Sequence, residues 1–148
     1  MMDYIKPHAT LKADSSGRFY GYASVFDVTD TQKDVIEHGA FRATLMEYRL
    51  QRTLPRMFYE HKSEEEVGTW QHLDEDTHGL WVEGQLNLHT PSGLAALKAM
   101  EEERLLGLSI GFMAMRTSYQ KGLRHIHHLK LFEISLVHLP ANPLAVIG

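Results

Sequence analysis

The sequence contains no cysteine. This absence excludes a disulfide framework, a thiol nucleophile and a thiolate metal site, so any chemistry must use oxygen and imidazole groups. No basic run stands out either, and the net charge of −4 gives no support for a nucleic-acid or anionic-membrane partner.

Long apolar runs are also missing. The longest extends from Leu105 to Met115 and is interrupted by two glycines and a serine, which is too short to cross a bilayer. The first ten residues, MMDYIKPHAT, lack the apolar core of a signal peptide. We therefore expect a cytoplasmic product with no membrane partner, folded as a single domain over residues 1–148.

Strand patterns outnumber helix patterns along the chain. Two helices are predicted: one after Gly39, and one that Thr90 caps and Pro91 begins. The segments that alternate or are rich in β-formers predict strands, and they are Phe19–Phe26, Met57–His61, Val67–Leu73, Leu80–Leu88, Leu108–Tyr119 and Leu123–Leu139. Without regular alternation of strand and helix, the predicted class is α+β: a mainly antiparallel sheet or barrel with two or more flanking helices.

The segment Gly107–Gly111 (GLSIG) is the most informative for chemistry. In a strand, Leu108 and Ile110 would point into the core, and Ser109 would point the other way between two glycines. Such clearance suits a nucleophile that a peptide carbonyl must approach, although tight packing explains it equally well. The same letters match the G-x-S-x-G elbow of α/β-hydrolases, but the chain is short for that fold and lacks its alternating elements.

A serine nucleophile needs a base, and the chain has ten histidines. His61 follows the apolar segment Met57–Tyr59, where a buried strand would emerge at the edge of a sheet. His125 and His127 would share one face of the last strand and form two ligands of a metal site. For each of these histidines, an exposed surface position is the simpler interpretation.

Glu133 is the only charge in the apolar run LFEISLV. A buried carboxylate requires a partner. A histidine held in one tautomer would serve, and so would a structural hydrogen bond to backbone or arginine. Ser135 shares the face of Glu133 by strand periodicity and is the fallback nucleophile, but it lacks flanking glycines.

Seven segments of the chain together resemble the prohead proteases of tailed phages, in the order that this family has them. They cover residues 19–145 and read GYASVFD, DVIEHGAF, FYEHK, VGTW, GLWVEGQL, LGLSIGF and LFEISLVHLPANPLA. The resemblance implies a fold similar to that of the herpesvirus assemblins. It also implies a serine peptidase whose catalytic histidine, serine and acid are His61, Ser109 and Glu133, with no cofactor or metal.

The resemblance further implies the partners. The substrates would be the major capsid protein with its scaffold region, and the protease itself, cleaved in the host cytoplasm within the assembling procapsid. Activation by dimerisation, as in assemblins, would make this chain a homo-oligomer. Members of the family commonly lose a C-terminal tail by self-cleavage, so we expect that tail to be absent here or already removed.

Several alternatives stay open at this stage. Because assemblins use a second histidine in place of the acid, His127 or His138 competes with Glu133 for the third role. Arg116 or Arg124, or backbone N–H groups near Ser109, would stabilise the oxyanion. The rival functions are an inactive capsid-docking module of the same fold, a serine esterase, or a metallohydrolase that uses His125 and His127.

Overall fold

The computed structural model describes residues 13–104, 107–138, 142 and 145. Seven strands and two helices make up this part of the chain. In order they are β1 (Arg18–Val25), β2 (Asp34–Ile36), α1 (Arg42–Gln51), β3 (Arg56–Tyr59), β4 (Lys62–Glu75), β5 (Gly79–Leu86), α2 (Pro91–Glu101), β6 (Gly107–Gln120) and β7 (Leu123–Val137).

The strands form one curled half-barrel sheet in the order β1-β5-β4-β3-β7-β2, and β6 pairs with β7 on its other side. Four strand pairs are antiparallel, whereas β2 and β3 run parallel to β7. Curling brings β1 close to β6. The prediction of a mainly antiparallel α+β fold with two helices is confirmed.

β7 is long enough to pair with two different strands along one edge and with β6 along the other. Its first residues pair with β2, its last residues pair with β3, and its opposite edge pairs with β6 along most of its length. Large apolar side chains of β7, including Ile126, Leu129 and Ile134, are fully buried. Burying apolar surface stabilises a fold by roughly 25 cal/mol per Å². Because β7 buries several large apolar side chains, it is the main structural support of the sheet.

The helices begin and end where the sequence indicates. Thr90 caps α2 by accepting a hydrogen bond from the N–H of Gly93 at 3.1 Å, and Pro91 occupies the first turn. α1 ends at Arg52, which adopts a left-handed conformation with φ of 55°, three residues before Pro55. Neither helix in the described ranges is long and apolar enough to cross a membrane.

Two local predictions differ from the structure. No strand was predicted for β2, since three residues are too few to show periodicity. In α2, the spacing of Leu94, Leu97 and Met100 predicts an apolar stripe, but Leu94 is 51% exposed, and Ala96 and Ala99 are buried together with Met100. Leu139, the expected end of the last strand, lies outside the described residues.

Candidate active site

Three neighbouring strands bring the candidate site together, with β7 in the middle. On one side, Ser109 of β6 stands opposite Ser135, and Gly111 stands opposite Glu133. On the other side, β3 pairs with the same stretch of β7 and leads directly into His61. Because Ser109 lies within a strand and not on a strand-to-helix turn, the elbow interpretation of GLSIG is wrong.

His61 lies on the hairpin turn between β3 and β4. Tyr59 pairs with Lys62, so the loop has only two residues, Glu60 and His61, and both have positive φ angles of 50° and 62°. A two-residue loop with two positive φ angles usually carries Asn-Gly. Placing non-glycine residues there costs on the order of 1 kcal/mol each, which surrounding contacts must offset. Backbone strain of this kind is concentrated at functional sites.

The imidazole of His61 contacts the carboxylate of Glu133, with Nδ1 2.5 Å from Oε2. The Glu133 side chain is only 13% exposed, whereas that of His61 is 41% exposed. The hydrogen bond to Glu133 raises the pKa of His61 above its ordinary value, against an opposing effect of desolvation. A carboxylate at Nδ1 favours the tautomer that leaves Nε2 as the proton acceptor.

Gly111 makes room for this carboxylate. A Cβ atom at Gly111 would lie 2.7 Å from Cδ and 3.0 Å from Cγ of Glu133, and closer still to Oε2. From the sequence, the glycines around Ser109 were explained equally well by substrate clearance and by tight packing. At Gly111 the structure shows that the cleared space is filled by the side chain of Glu133.

Ser109 and His61 line one cavity of about 90 Å³. Ser109 is half-buried, and within the described residues no hydrogen bond joins it to His61. Catalytic hydrogen bonds are often long in a free enzyme and shorten when substrate binds. The shared cavity is therefore the geometric evidence that links Ser109 with His61. The remaining walls come from β1, from β2 and the loop before it, from β6 and from Asn142, and they are Ala23, Ser24, Val28, Asp30, Gln32, Asp34, Ile36, Ile110, Phe112 and Asn142.

The competing histidines have other partners. His127 contacts Ser118 at 2.8 Å, and His138 contacts Tyr59 at 2.8 Å and the carbonyl of Arg104. Glu133 is therefore the side chain that the structure places against His61.

The same residues bear on the metal hypothesis. His125 contacts Glu37 at 2.7 Å, and no cluster of three or more potential ligands occurs among the residues that the structure describes. The described residues thus bring no third ligand to His125 and His127.

Neither candidate arginine lines the cavity. Arg124 makes two hydrogen bonds to the buried carboxylate of Asp34, at 2.8 and 2.9 Å, and this contact raises the pKa of Arg124. Arg116 is seven residues beyond Ser109 on β6, a separation of roughly 23 Å along an extended strand. Of the oxyanion donors considered from the sequence, backbone N–H groups remain.

Much of the cavity wall was not predicted from the sequence. Asp30 and Gln32 lie in a polar turn, in which Asp30 accepts hydrogen bonds from the N–H groups of Gln32 and Asp34. This polar loop faces Ser109 because the sheet curls, and a single sequence carries no signal for that curl. The small residues Ala23 and Ser24 of β1 were the one available hint of a close approach to β6.

Comparison with known proteins identifies the family of the chain. The family model for caudovirus prohead serine protease matches residues 5–148, so the chain belongs to that family. The prohead protease of Enterobacteria phage HK97 is 41% identical over 141 residues, which cover 89% of this chain and 59% of that protein. This chain therefore spans less than two thirds of that relative.

The similarity to solved structures concerns the fold alone. The bacteriophage T4 capsid assembly protease has a TM-score of 0.67 at 10% identity and covers 81% of this chain and 80% of its own. The KSHV protease bound to a hexapeptide phosphonate inhibitor has a TM-score of 0.54 at 17% identity, covering 88% of this chain and 63% of its own. The expected similarity to herpesvirus proteases is confirmed at the level of the fold.

Proposed function

We propose that this chain is a serine endopeptidase in which Ser109 is the nucleophile, His61 the general base and Glu133 the acid that orients His61. Ser109 Oγ attacks a peptide carbonyl, and its proton passes to Nε2 of His61. The C–N bond then breaks, the leaving amine takes that proton, and an acyl-enzyme remains for water to hydrolyse. Proton transfer by a positioned group contributes roughly 10²- to 10⁴-fold in rate.

One observation carries this proposal: the 2.5 Å contact between His61 Nδ1 and Glu133 Oε2 at the edge of the cavity that Ser109 lines. The contact joins a loop residue to a strand residue far along the chain, at the cost of a strained turn. Family membership gives the arrangement its chemical meaning. An inactive docking module would need neither the strained turn nor the nearly buried carboxylate.

The proposed substrates follow from the relatives. Proteins of matching sequence or fold are described as a prohead protease and a capsid assembly protease. We therefore propose that this chain cleaves the scaffold region of the major capsid protein, and itself, inside the procapsid in the host cytoplasm. Cleavage at that location would make head maturation irreversible. We further propose that the active form is a homo-oligomer, which sedimentation of an active monomer would rule out.

The test uses two serines of the same strand. The chain is produced with its capsid-protein partner as wild type, Ser109→Ala and Ser118→Ala, and the products are followed by intact mass. Ser118 is a matched control because it lies on the same strand and contacts a histidine, His127, but lies outside the cavity. We expect cleavage in the wild type and in Ser118→Ala, and none in Ser109→Ala.

Labelling separates the remaining alternatives. A fluorophosphonate probe should add to Ser109 in the wild type, and abolition of cleavage by a chelator would point instead to a metallohydrolase. Labelling without cleavage of any capsid protein would favour an esterase. Equal cleavage by wild type and Ser109→Ala would remove Ser109 as nucleophile, and neither cleavage nor labelling in the wild type would favour a docking module.

A further inference from the structure

Ser135 touches both candidate catalytic partners of Ser109. It lies opposite Ser109 on β7 and is fully buried. Its hydroxyl donates to Oε1 of Glu133 at 2.7 Å and accepts from the backbone N–H of His61 at 3.1 Å. The hydroxyl of Ser135 therefore bonds both to the carboxylate of Glu133 and to the backbone of His61, whose imidazole contacts the same carboxylate.

The turn that carries His61 needs such support. Its two residues have positive φ angles, a conformation that L side chains rarely adopt. Two further hydrogen bonds tie it to the end of β7: the N–H of Glu60 donates to the carbonyl of Leu136 at 2.9 Å, and Oε1 of Glu60 accepts from the N–H of His138 at 2.7 Å. Among the described residues, Ser135 is the side chain that connects the backbone of the turn to Glu133.

The hydroxyl of Ser135 has little capacity left for a reaction of its own. A serine has one O–H donor and two acceptor sites, and the donor is committed to Glu133. Burial also separates the oxygen from any substrate. These contacts argue against Ser135 as the fallback nucleophile and leave its position relative to His61 and Glu133 to be explained.

We propose that Ser135 is a positioning residue of the catalytic site, whose buried hydroxyl sets the separation of His61 from Glu133. The inference rests on the proposed function, because it assumes that His61 and Glu133 act as base and acid. Without the hydroxyl, Glu133 loses an anchor for Oε1, and the backbone of the strained turn loses its link to the carboxylate. The hydrogen bond between His61 and Glu133 is then broken for part of the time.

The titration of His61 reports this separation directly. Glu133 and Glu60 both act to raise the pKa of His61. The other charges that line the cavity are Asp30 and Asp34, and Arg124 neutralises Asp34. Since the contact with Glu133 is the main cause of the raised pKa, loosening that contact should move the pKa back toward the ordinary value of about 6.5.

The first experiment is an NMR titration of the His61 ring in four proteins: wild type, Ser135→Ala, Ser135→Thr and Thr44→Val. Thr44 is the matched control, because its buried hydroxyl also accepts from a backbone N–H, that of Leu131, away from the cavity. We expect a lower pKa of His61 in Ser135→Ala only. An unchanged or higher pKa in Ser135→Ala overturns the proposal, as does an equal effect of Ser135→Thr, which would assign the change to packing.

The second experiment measures the rate of fluorophosphonate labelling at Ser109, at a temperature where urea titration shows all variants folded. Misplacement of a catalytic group by about 1 Å costs on the order of a hundred-fold, so Ser135→Ala should react roughly ten- to a hundred-fold more slowly. Thr44→Val should react at the wild-type rate. A wild type that does not label would contradict the proposed function, whereas equal rates for wild type and Ser135→Ala would contradict the positioning role alone.

Discussion

Gly111→Ala tests the role of Glu133 without altering any charged or nucleophilic group. The added Cβ would lie 2.7 Å from Cδ of Glu133 and 3.0 Å from Cγ, whereas ordinary van der Waals contact begins at 3.4 Å. The carboxylate cannot move toward His61, which is already 2.5 Å away, and its other oxygen is held by Ser135 at 2.7 Å. It must therefore leave both partners, or β6 must separate from β7.

The size of the effect follows from hydrogen-bond geometry. Moving Oε2 by roughly 1 Å takes it beyond the distance at which a hydrogen bond to Nδ1 contributes. The pKa of His61 should fall toward its ordinary value of about 6.5, and the labelling rate at Ser109 should fall roughly 10²-fold or more. Overpacking of this kind also costs about 1–3 kcal/mol of folding free energy. NMR titration, probe labelling and urea unfolding measure the three effects.

A double-mutant cycle separates the effect on Glu133 from general damage. In a Glu133→Ala background the space around Gly111 is free, so adding Gly111→Ala should change neither the labelling rate nor the titration of His61. A full loss in both backgrounds would mean that the alanine disturbs β6 itself. A Gly111→Ala protein with the wild-type rate and pKa would refute the role assigned to Glu133.

Three further predictions follow from the described contacts. Because the pKa of His61 is raised and the base must be neutral, the labelling rate should increase with pH through a pKa above about 6.5. Glu133→Gln should move the midpoint of this increase to lower pH. The stability that the His61–Glu133 ion pair contributes should change in the opposite direction with pH, since it is complete below a pH of about 6.5 and is lost as pH rises through the raised pKa of His61. Arg124→Met leaves the carboxylate of Asp34, which is 4% exposed, without its bidentate partner, so urea unfolding should show a loss of a few kcal/mol that Asp34→Asn partly restores; no restoration would mean that the pair does not stabilise the fold. Thr90→Ala removes the cap of α2 and should cost about 1 kcal/mol in the same assay, with Thr90→Ser nearly neutral; equal losses in both variants would contradict the capping role.

Local sequence signals predicted the elements that carry the site. Alternation in GLSIG indicated the face of Ser109, and an isolated charge in LFEISLV indicated a carboxylate with a partner. In both cases one residue type stands out against a strong periodic pattern, and strand geometry then determines the direction of its side chain. The fold class was predicted on the same basis, from the excess of strands over helices.

Features that depend on strand register were not predictable in this way. The contacts that Gly111 and Ser135 make with Glu133 exist only because β6, β7 and β3 align in one register, which joins residues far apart in the chain. The helix α2 shows a second limit, because leucine spacing suggested the buried face while Ala96 and Ala99 occupy it. Small side chains allow a helix to lie close to a sheet, and a pattern based on large apolar residues does not detect this.

The central position of β7 has a consequence for when activity can arise during synthesis. His61 and Ser109 leave the ribosome before β7, yet Glu133 and the hydrogen bonds that hold the turn of His61 belong to β7. A nascent chain that ends before residue 133 can contain both the serine and the histidine but cannot align them. Contacts between distant segments form late in folding. Under the proposed mechanism, the order of strands therefore keeps the chain inactive until its sheet is assembled.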